Sequence, residues 1–286
     1  MPKYFLSNQY VKEGIYMSIK IIAVDMDGTF LNDQMSFDRA RFSTQYSQLK
    51  ENGIKFVVAS GNQYYQLISF FPDIANEIAF VAENGAYVSN ENTEIFCGAI
   101  SAEKGNKVLK TLLPIPYLDV IVCGKNSAYM LRSSDNYFYT TMSKYYHRLK
   151  IIDDFEQVTE PAFKFAISLP NEKLADFMIF IEQELAGIVT PVSSGHGSVD
   201  LIIPGIHKAN GIKLLQKMWN VTDQEVVTFG DGGNDIEMLQ YAGFGYAMAN
   251  APDNIKQIAK YQAESNNDSG VLNIIDEILK KQPPFV

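Results

Sequence analysis

Cysteine is scarce in this sequence of 286 residues; only Cys97 and Cys123 occur. Both lie inside apolar stretches, which fits two buried free thiols in a reducing compartment and argues against a disulfide or a metal pair. Long apolar runs are lacking too, since none reaches the roughly 18 residues of a membrane-spanning helix. Basic residues are in deficit, 24 Lys and Arg against 33 Asp and Glu, for a net charge of -9. That balance speaks against nucleic acid or an anionic membrane as the main partner, because both reward clustered Lys and Arg. A small anionic substrate stays compatible if it meets local positive charge. The opening "MPKYFLSNQYVKEGIYM" has neither a basic n-region nor a continuous apolar h-region, so it does not read as a secretory signal. A cytoplasmic protein is expected, and no internal repeat or low-complexity segment interrupts the chain.

What is present is the composition of a globular protein, 47% apolar and 20% charged. The length favours two domains over one. Folding logic begins at Met17, whose "MSIKIIAVD" leads into the first strand. Lys12, Glu13 and Gly14 can be encoded by a purine-rich run resembling a ribosome-binding site, so residues 1–16 are expected to be an extension ahead of the natural start. Residues 19–24 then read as a strand buried on both faces, and 36–52 as a helix with Ser36 as N-cap and Gly53 as its stop. "IKFVVAS" and "IAFVAENGA" are further strands, with "NQYYQLISFF" a short helix between them. This order predicts an α/β fold, a Rossmann-like doubly wound parallel sheet whose site lies beyond the C-terminal strand ends.

After Gly85 the rhythm changes to short strands ("AYVSN", "EIFCGAI", "DVIVCGK", "SAYMLRS", "FKFAISLP", "SVDLIIP") with helices near 101–113, 135–149 and 171–186. Residues 87–203 therefore read as an inserted α+β domain, with 17–86 and 204–286 forming the core. The α/β pattern resumes near Lys208: a helix to Trp219, strand "EVVTFG", loop "DGGND", a helix to Tyr241, strand "GYAMAN", a helix opened by Pro252, and a last amphipathic helix over 269–281.

Four segments converge on one sheet edge: "DMDGT", "ASGN", "HKANG" and "GDGGND". Each alone has an ordinary reading as a turn, a strand end, a solvated lysine or a loop. A calcium loop is excluded, because Gly28 is fourth from Asp25 rather than sixth and position twelve is Ser36. Together they make chemical sense. The Asp25/Asp27 pair and Asp231 offer oxygens to an octahedral Mg²⁺, which removes the repulsion between neighbouring carboxylates. Lys208 adds fixed positive charge, and Ser60 offers a hydroxyl at a helix start, so a phosphate fits. A carboxylate beside a metal-bound phosphoryl group is a nucleophile able to form an aspartyl-phosphate.

This four-motif set resembles the haloacid dehalogenase superfamily, specifically Cof-type phosphatases with a large α/β cap inserted after the second motif. The resemblance runs from about Ser18 to the C-terminal helix and includes "ASGNQYYQLISFFPD", "VAENGA", "LIIPGIHKANGI" and "NIKQIA". It implies a Mg²⁺-dependent phosphatase acting on small phosphorylated sugars. In it Asp25 is the nucleophile and a metal ligand, and Asp27 the general acid and base, whose main-chain carbonyl also binds metal. Ser60 and the Gly61 backbone hold the phosphoryl group, and Lys208 neutralises charge. Asp231 completes the metal shell, Asn234 contacts phosphate, Asp235 orients the metal or Lys208, and Thr29 bonds within its own turn. Many relatives carry Thr-Gly-Arg where this chain has Ser60-Gly61-Asn62, so the arginine's task has no carrier here. The cap would close over the site and choose the leaving group, with His196 and Asp200 as candidates to bind sugar hydroxyls; His147 reads as an ordinary helix residue. The resemblance leaves a phosphosugar mutase and a phosphosugar-binding regulator as alternatives, and a monomer or homodimer as the assembly.

Overall fold

The computed structural model describes residues 18–134, 136–195 and 197–285, so the extension at 1–16 and His196 lie outside the described residues. The chain begins with β1 (Ile21–Val24), α1 (Arg39–Glu51), β2 (Lys55–Ala59), α2 (Tyr64–Ser69), β3 (Ala79–Ala82), β4 (Tyr87–Asn90) and β5 (Thr93–Cys97). It continues through α3 (Ala102–Leu112), β6 (Asp119–Gly124), β7 (Ala128–Leu131), α4 (Asn136–Met142), β8 (Leu149–Ile152), β9 (Ala162–Ser168), α5 (Leu174–Glu184), β10 (Thr190–Gly195) and β11 (Ser198–Ile202). It closes with α6 (Lys208–Trp219), β12 (Val226–Gly230), α7 (Ile236–Tyr241), β13 (Phe244–Met248), α8 (Asp253–Ile258), β14 (Tyr261–Ala263) and α9 (Gly270–Leu279).

Two sheets result. The first has the order β14-β13-β12-β1-β2-β3-β4-β5 and is parallel from β14 to β3. Its strands are apolar on both faces because both faces are covered. Ile22, Val24 and Phe229 pack with residues of α1 and α9, while Ile21, Ala23 and Val226 pack with Ile212 and Leu215 of α6. The chain runs outward from β1 in both directions, first through β2 and later through β12. That switch point is where an open α/β sheet leaves a crevice for a ligand. The second sheet, β10-β11-β9-β6-β7-β8, is antiparallel except between β7 and β8. Alternation along β9 sends Phe165 and Ile167 to a core shared with Val108 of α3 and Phe177 of α5. Lys164 and Ala166 face the other way, toward the first sheet's strand ends, where they line the same cavity as Asp25. Among the described residues, no helix is long and apolar enough to cross a membrane.

The expected insert boundary at residue 87 does not hold. β4 and β5 pair antiparallel onto β3 and extend the first sheet, so the chain leaves it only after Cys97. The tight reversal at Glu83-Asn84-Gly85, all with positive φ, turns the chain straight back onto β3. The first helix is capped by Asp38, whose side chain accepts from the Arg41 N–H, rather than by Ser36. The helix expected over 135–149 stops at Met142. Beyond it the carbonyls of Lys144 and Arg148 are taken by the Gln66 and Gln63 amides from the core instead of by later helical N–H groups.

Candidate active site

Because β1 and β12 lie side by side with Val24 opposite Phe229, Asp25 and Asp231 leave the sheet together. The Asp25 N–H donates to the Phe229 carbonyl, which fixes the start of the following turn. Gly28 has φ +71 in that turn, and a Cβ placed there would lie 2.5 Å from Asp231 Oδ2. Glycine is thus required twice, for its left-handed backbone and for the close approach. The Thr29 hydroxyl donates to Asp231 Oδ1 at 2.8 Å. The Thr29 N–H also donates to the Met26 carbonyl at 3.2 Å, inside the turn, while the hydroxyl ties the first motif to the last.

Lys208, at the start of α6, is 1% exposed. Its Nζ lies 2.6 Å from Asp25 Oδ1 and 2.7 Å from Asp235 Oδ1. Burial opposes its charge, yet Asp235 and Asp25 outweigh that cost and hold its pKa above the ordinary lysine value. The other oxygen of Asp235 accepts from the N–H groups of Asp231 and Gly232, both at 2.9 Å. Asp235 thus orients both Lys208 and the Asp231 loop. Burial raises the Asp25 pKa well above the carboxylate range, with Lys208 pulling it down and Asp235 and Asp231 pushing it up. Burial and the charge of Asp235 likewise push Asp231 up to about 6. Asp27 is also raised by burial, against a hydrogen bond from Asn62.

Ser60, Gly61 and Asn234, the residues expected to bind phosphate, line one cavity with Asp25, Asp27 and Asp231. Ser60 follows β2, is buried, and accepts the Asn62 N–H on its Oγ. The Asn62 side chain donates to Asp27 Oδ2, while Asp27 Oδ1 is buried with no hydrogen-bond partner among the described residues. Asn234 donates to the side-chain carbonyl of Asn84 at 3.0 Å. Asp25, Asp27, Ser60, Gly61, Asp231 and Asn234 form one wall of a cavity of about 390 Å³. The facing wall comes from the insert and includes Phe138, Met142, Tyr145, Tyr146, Ser168 and Asp200.

The residues present fit a divalent cation. Carboxylate oxygens of Asp25, Asp231 and Asp235 lie within 4.8 Å of one another. One lysine cannot balance these three carboxylates and Asp27, and a divalent cation would supply the missing positive charge. With Asp235 committed to Lys208 and two N–H groups, Asp25 and Asp231 are the side chains that would hold the ion. Gly28→Ala should disturb this arrangement, lowering stability by about 1–3 kcal/mol and weakening Mg²⁺ binding. Thermal melts and a calorimetric Mg²⁺ titration check both; unchanged Mg²⁺ affinity would contradict the assigned approach of Gly28 to Asp231.

Asp200 lines the cavity, and its Oδ2 accepts from Lys164 and Asn84. His147 is exposed but lies in a turn beyond the end of α4 rather than on a helix. Sequence reasoning passed over Lys164, Glu83 and Asn84. The available signal was one lysine inside the apolar strand "AFKFAIS", since a buried lysine needs partners.

A family model for haloacid dehalogenase-like hydrolases matches residues 22–275. The 5-amino-6-(5-phospho-D-ribitylamino)uracil phosphatase YbjI of Escherichia coli strain K12 is 54% identical over 269 residues, 94% of this chain and 99% of that one. The Bacillus subtilis phosphatase YitU, named for the same substrate, is 25% identical across 90% of this chain and 96% of its own. Among solved structures, SMU.1108c of Streptococcus mutans superposes with a TM-score of 0.89 at 38% identity, over 92% of this chain and all of that one. With its strand-end carboxylates, buried lysine and doubly wound sheet, this chain belongs to the haloacid dehalogenase-like hydrolases.

Proposed function

We propose that the chain is a Mg²⁺-dependent phosphomonoesterase whose substrate is a phosphorylated sugar alcohol carrying a planar nitrogen heterocycle. The observation that carries the reading is the two-sided cavity. Its core wall ends in the Asp25/Asp27 pair and the phosphate-side groups, and its insert wall is aromatic. A phosphate at Ser60, Gly61 and Asn234 would leave the rest of the molecule against Phe138, Tyr145 and Tyr146, which suit a ring better than a bare sugar. The name of the E. coli relative supports the same substrate, 5-amino-6-(5-phospho-D-ribitylamino)uracil.

The residues divide the work. Lys208 and Asp235 hold the Asp25 carboxylate in one rotamer, so that it meets phosphorus in line. As the Asp25 oxygen–phosphorus bond forms and the ester oxygen–phosphorus bond breaks, Asp27 gives its proton to the departing alkoxide. Asp27 then takes a proton from the water that attacks the aspartyl-phosphate, releasing phosphate and restoring Asp25. Burial favours the protonated form of Asp27, as the first half requires, and Asn62 steadies one of its oxygens. Mg²⁺ bound by Asp25, Asp231 and the Asp27 carbonyl would supply charge that offsets the phosphoryl oxygens.

Phosphate release from the ring-bearing ester, ribitol 5-phosphate and a panel of hexose phosphates, each with and without Mg²⁺, tests the reading. We expect Mg²⁺-dependent turnover and a kcat/KM for the ring-bearing ester about tenfold or more above ribitol 5-phosphate. Equal values for the two would remove the heterocycle from the proposal, and release independent of metal would remove the mechanism.

A further inference from the structure

Lys164 has no part in the chemistry above, yet it is 2% exposed and lines the cavity. It stands on β9 of the insert, and its Nζ has three oxygen partners. One is Asp200 Oδ2 on the neighbouring strand β11, at 2.8 Å. The other two belong to the core: the Gly61 carbonyl at 2.6 Å and Glu83 Oε2 at 3.5 Å. Gly61 sits in the loop that offers Ser60, and Glu83 in the reversal after β3. The same reversal braces that loop, since the Glu83 N–H donates to the Asn62 carbonyl and the Asn84 N–H to the Ser60 carbonyl.

A second strand of contacts runs parallel to the first. Asp200 accepts from the Asn84 side chain at 2.6 Å, and Asn84 in turn accepts from Asn234. Lys164 and Asp200 therefore join the insert to both core segments assigned to phosphate. Two features indicate that the fold maintains this contact at some expense. Glu83 and Asn84 both hold positive φ, 51 and 55, a costly backbone for residues other than glycine. At Gly61 a Cβ would meet Asn84 Nδ2 at 3.1 Å and Asp200 Oδ2 at 3.2 Å, so a side chain there would press the insert away.

We infer that Lys164 is a positioning residue that couples seating of the insert to the shape of the phosphate loop, through the Gly61 carbonyl and the Asp200–Asn84–Asn234 chain. The loop is then held in its phosphate-accepting form only while the insert is docked. The inference rests on the phosphatase reading, because it takes the Ser60–Asn62 loop and Asn234 as the phosphate subsite.

The difficulty for a test is that removing Lys164 alone strands two buried carboxylates and lowers stability for reasons unrelated to phosphate. The variant Lys164→Met/Asp200→Asn/Glu83→Gln removes the charges together. Its melting temperature should stay near that of the unaltered protein, while its affinity for inorganic phosphate, titrated calorimetrically with Mg²⁺ present, should fall about tenfold or more. Lys164→Gln, measured well below its own melting temperature, should show the same direction of change. Phosphate affinity equal to that of the unaltered protein in either folded variant overturns the coupling. If the unaltered protein releases phosphate from no ester, it is the phosphatase reading that falls, so the two failures are told apart.

Discussion

Asp25→Asn is expected to lower kcat by about 10⁴-fold or more, and to do so without weakening the fold. The amide keeps the size of the carboxylate but cannot form the bond to phosphorus. Because burial, Asp235 and Asp231 all raise the Asp25 pKa, its charge is a net burden on the folded state. Lys208 retains Asp235 as a partner when that charge is removed. The melting temperature should therefore be equal to or above that of the unaltered protein. Asp27→Asn should separate the two half-reactions, forming the phosphoenzyme slowly from an ester with a good leaving group while turnover collapses. Steady-state kinetics and phosphate trapping on the acid-quenched protein check both variants. Turnover at the original rate in an Asp25→Asn sample of confirmed mass would refute the assignment of the nucleophile.

Lys208→Met should damage stability and activity together, which distinguishes it from Asp25→Asn. The lysine is the shared partner of two buried carboxylates, and its removal leaves both uncompensated. Breaking such a pair costs about 3–5 kcal/mol. The same change removes the cation that sets the Asp25 rotamer and offsets phosphoryl charge, an effect of about 10²–10³ in kcat. Denaturant melts and kinetics on the residual folded protein measure the two losses. A double variant that also carries Asp235→Asn should recover part of the stability and none of the rate. Recovery of both would mean that Lys208 acts only as a structural ion pair.

Much of the site was legible because the chemistry sits at the ends of buried strands. An apolar run that stops at Asp25, another that stops at Ser60 and a third that stops at Asp231 can be read from hydropathy and turn residues alone. Lys208 alone read as a solvated lysine, and the roles of Lys208 and Asn234 came from the family resemblance of the four motifs together. The limits of such reading are equally specific. β4 and β5 have the pattern of any antiparallel hairpin, and nothing local says which sheet they join; the reversal at Glu83–Gly85 decided it. α4 has helix-forming neighbours beyond Met142, but Gln63 and Gln66, from a distant helix start, take the carbonyls there. Asn62 read as a lost arginine, and its contact with Asp27 emerged only with both side chains in place.

What the sequence by itself determined was the α/β class and the strand ends at which Asp25, Ser60 and Asp231 lie, because strand burial and turn formation depend on residues close in the chain. The tertiary structure alone decided which distant groups meet: Thr29 bonding Asp231 across 202 residues, Asp235 bonding Lys208, and Lys164 reaching from the insert to the Gly61 carbonyl. Those assignments depend on distances of about 3 Å between segments far apart in sequence; the pairing of β1 with β12 and the packing of α6 on the first sheet set the first two, and docking of the insert sets the third.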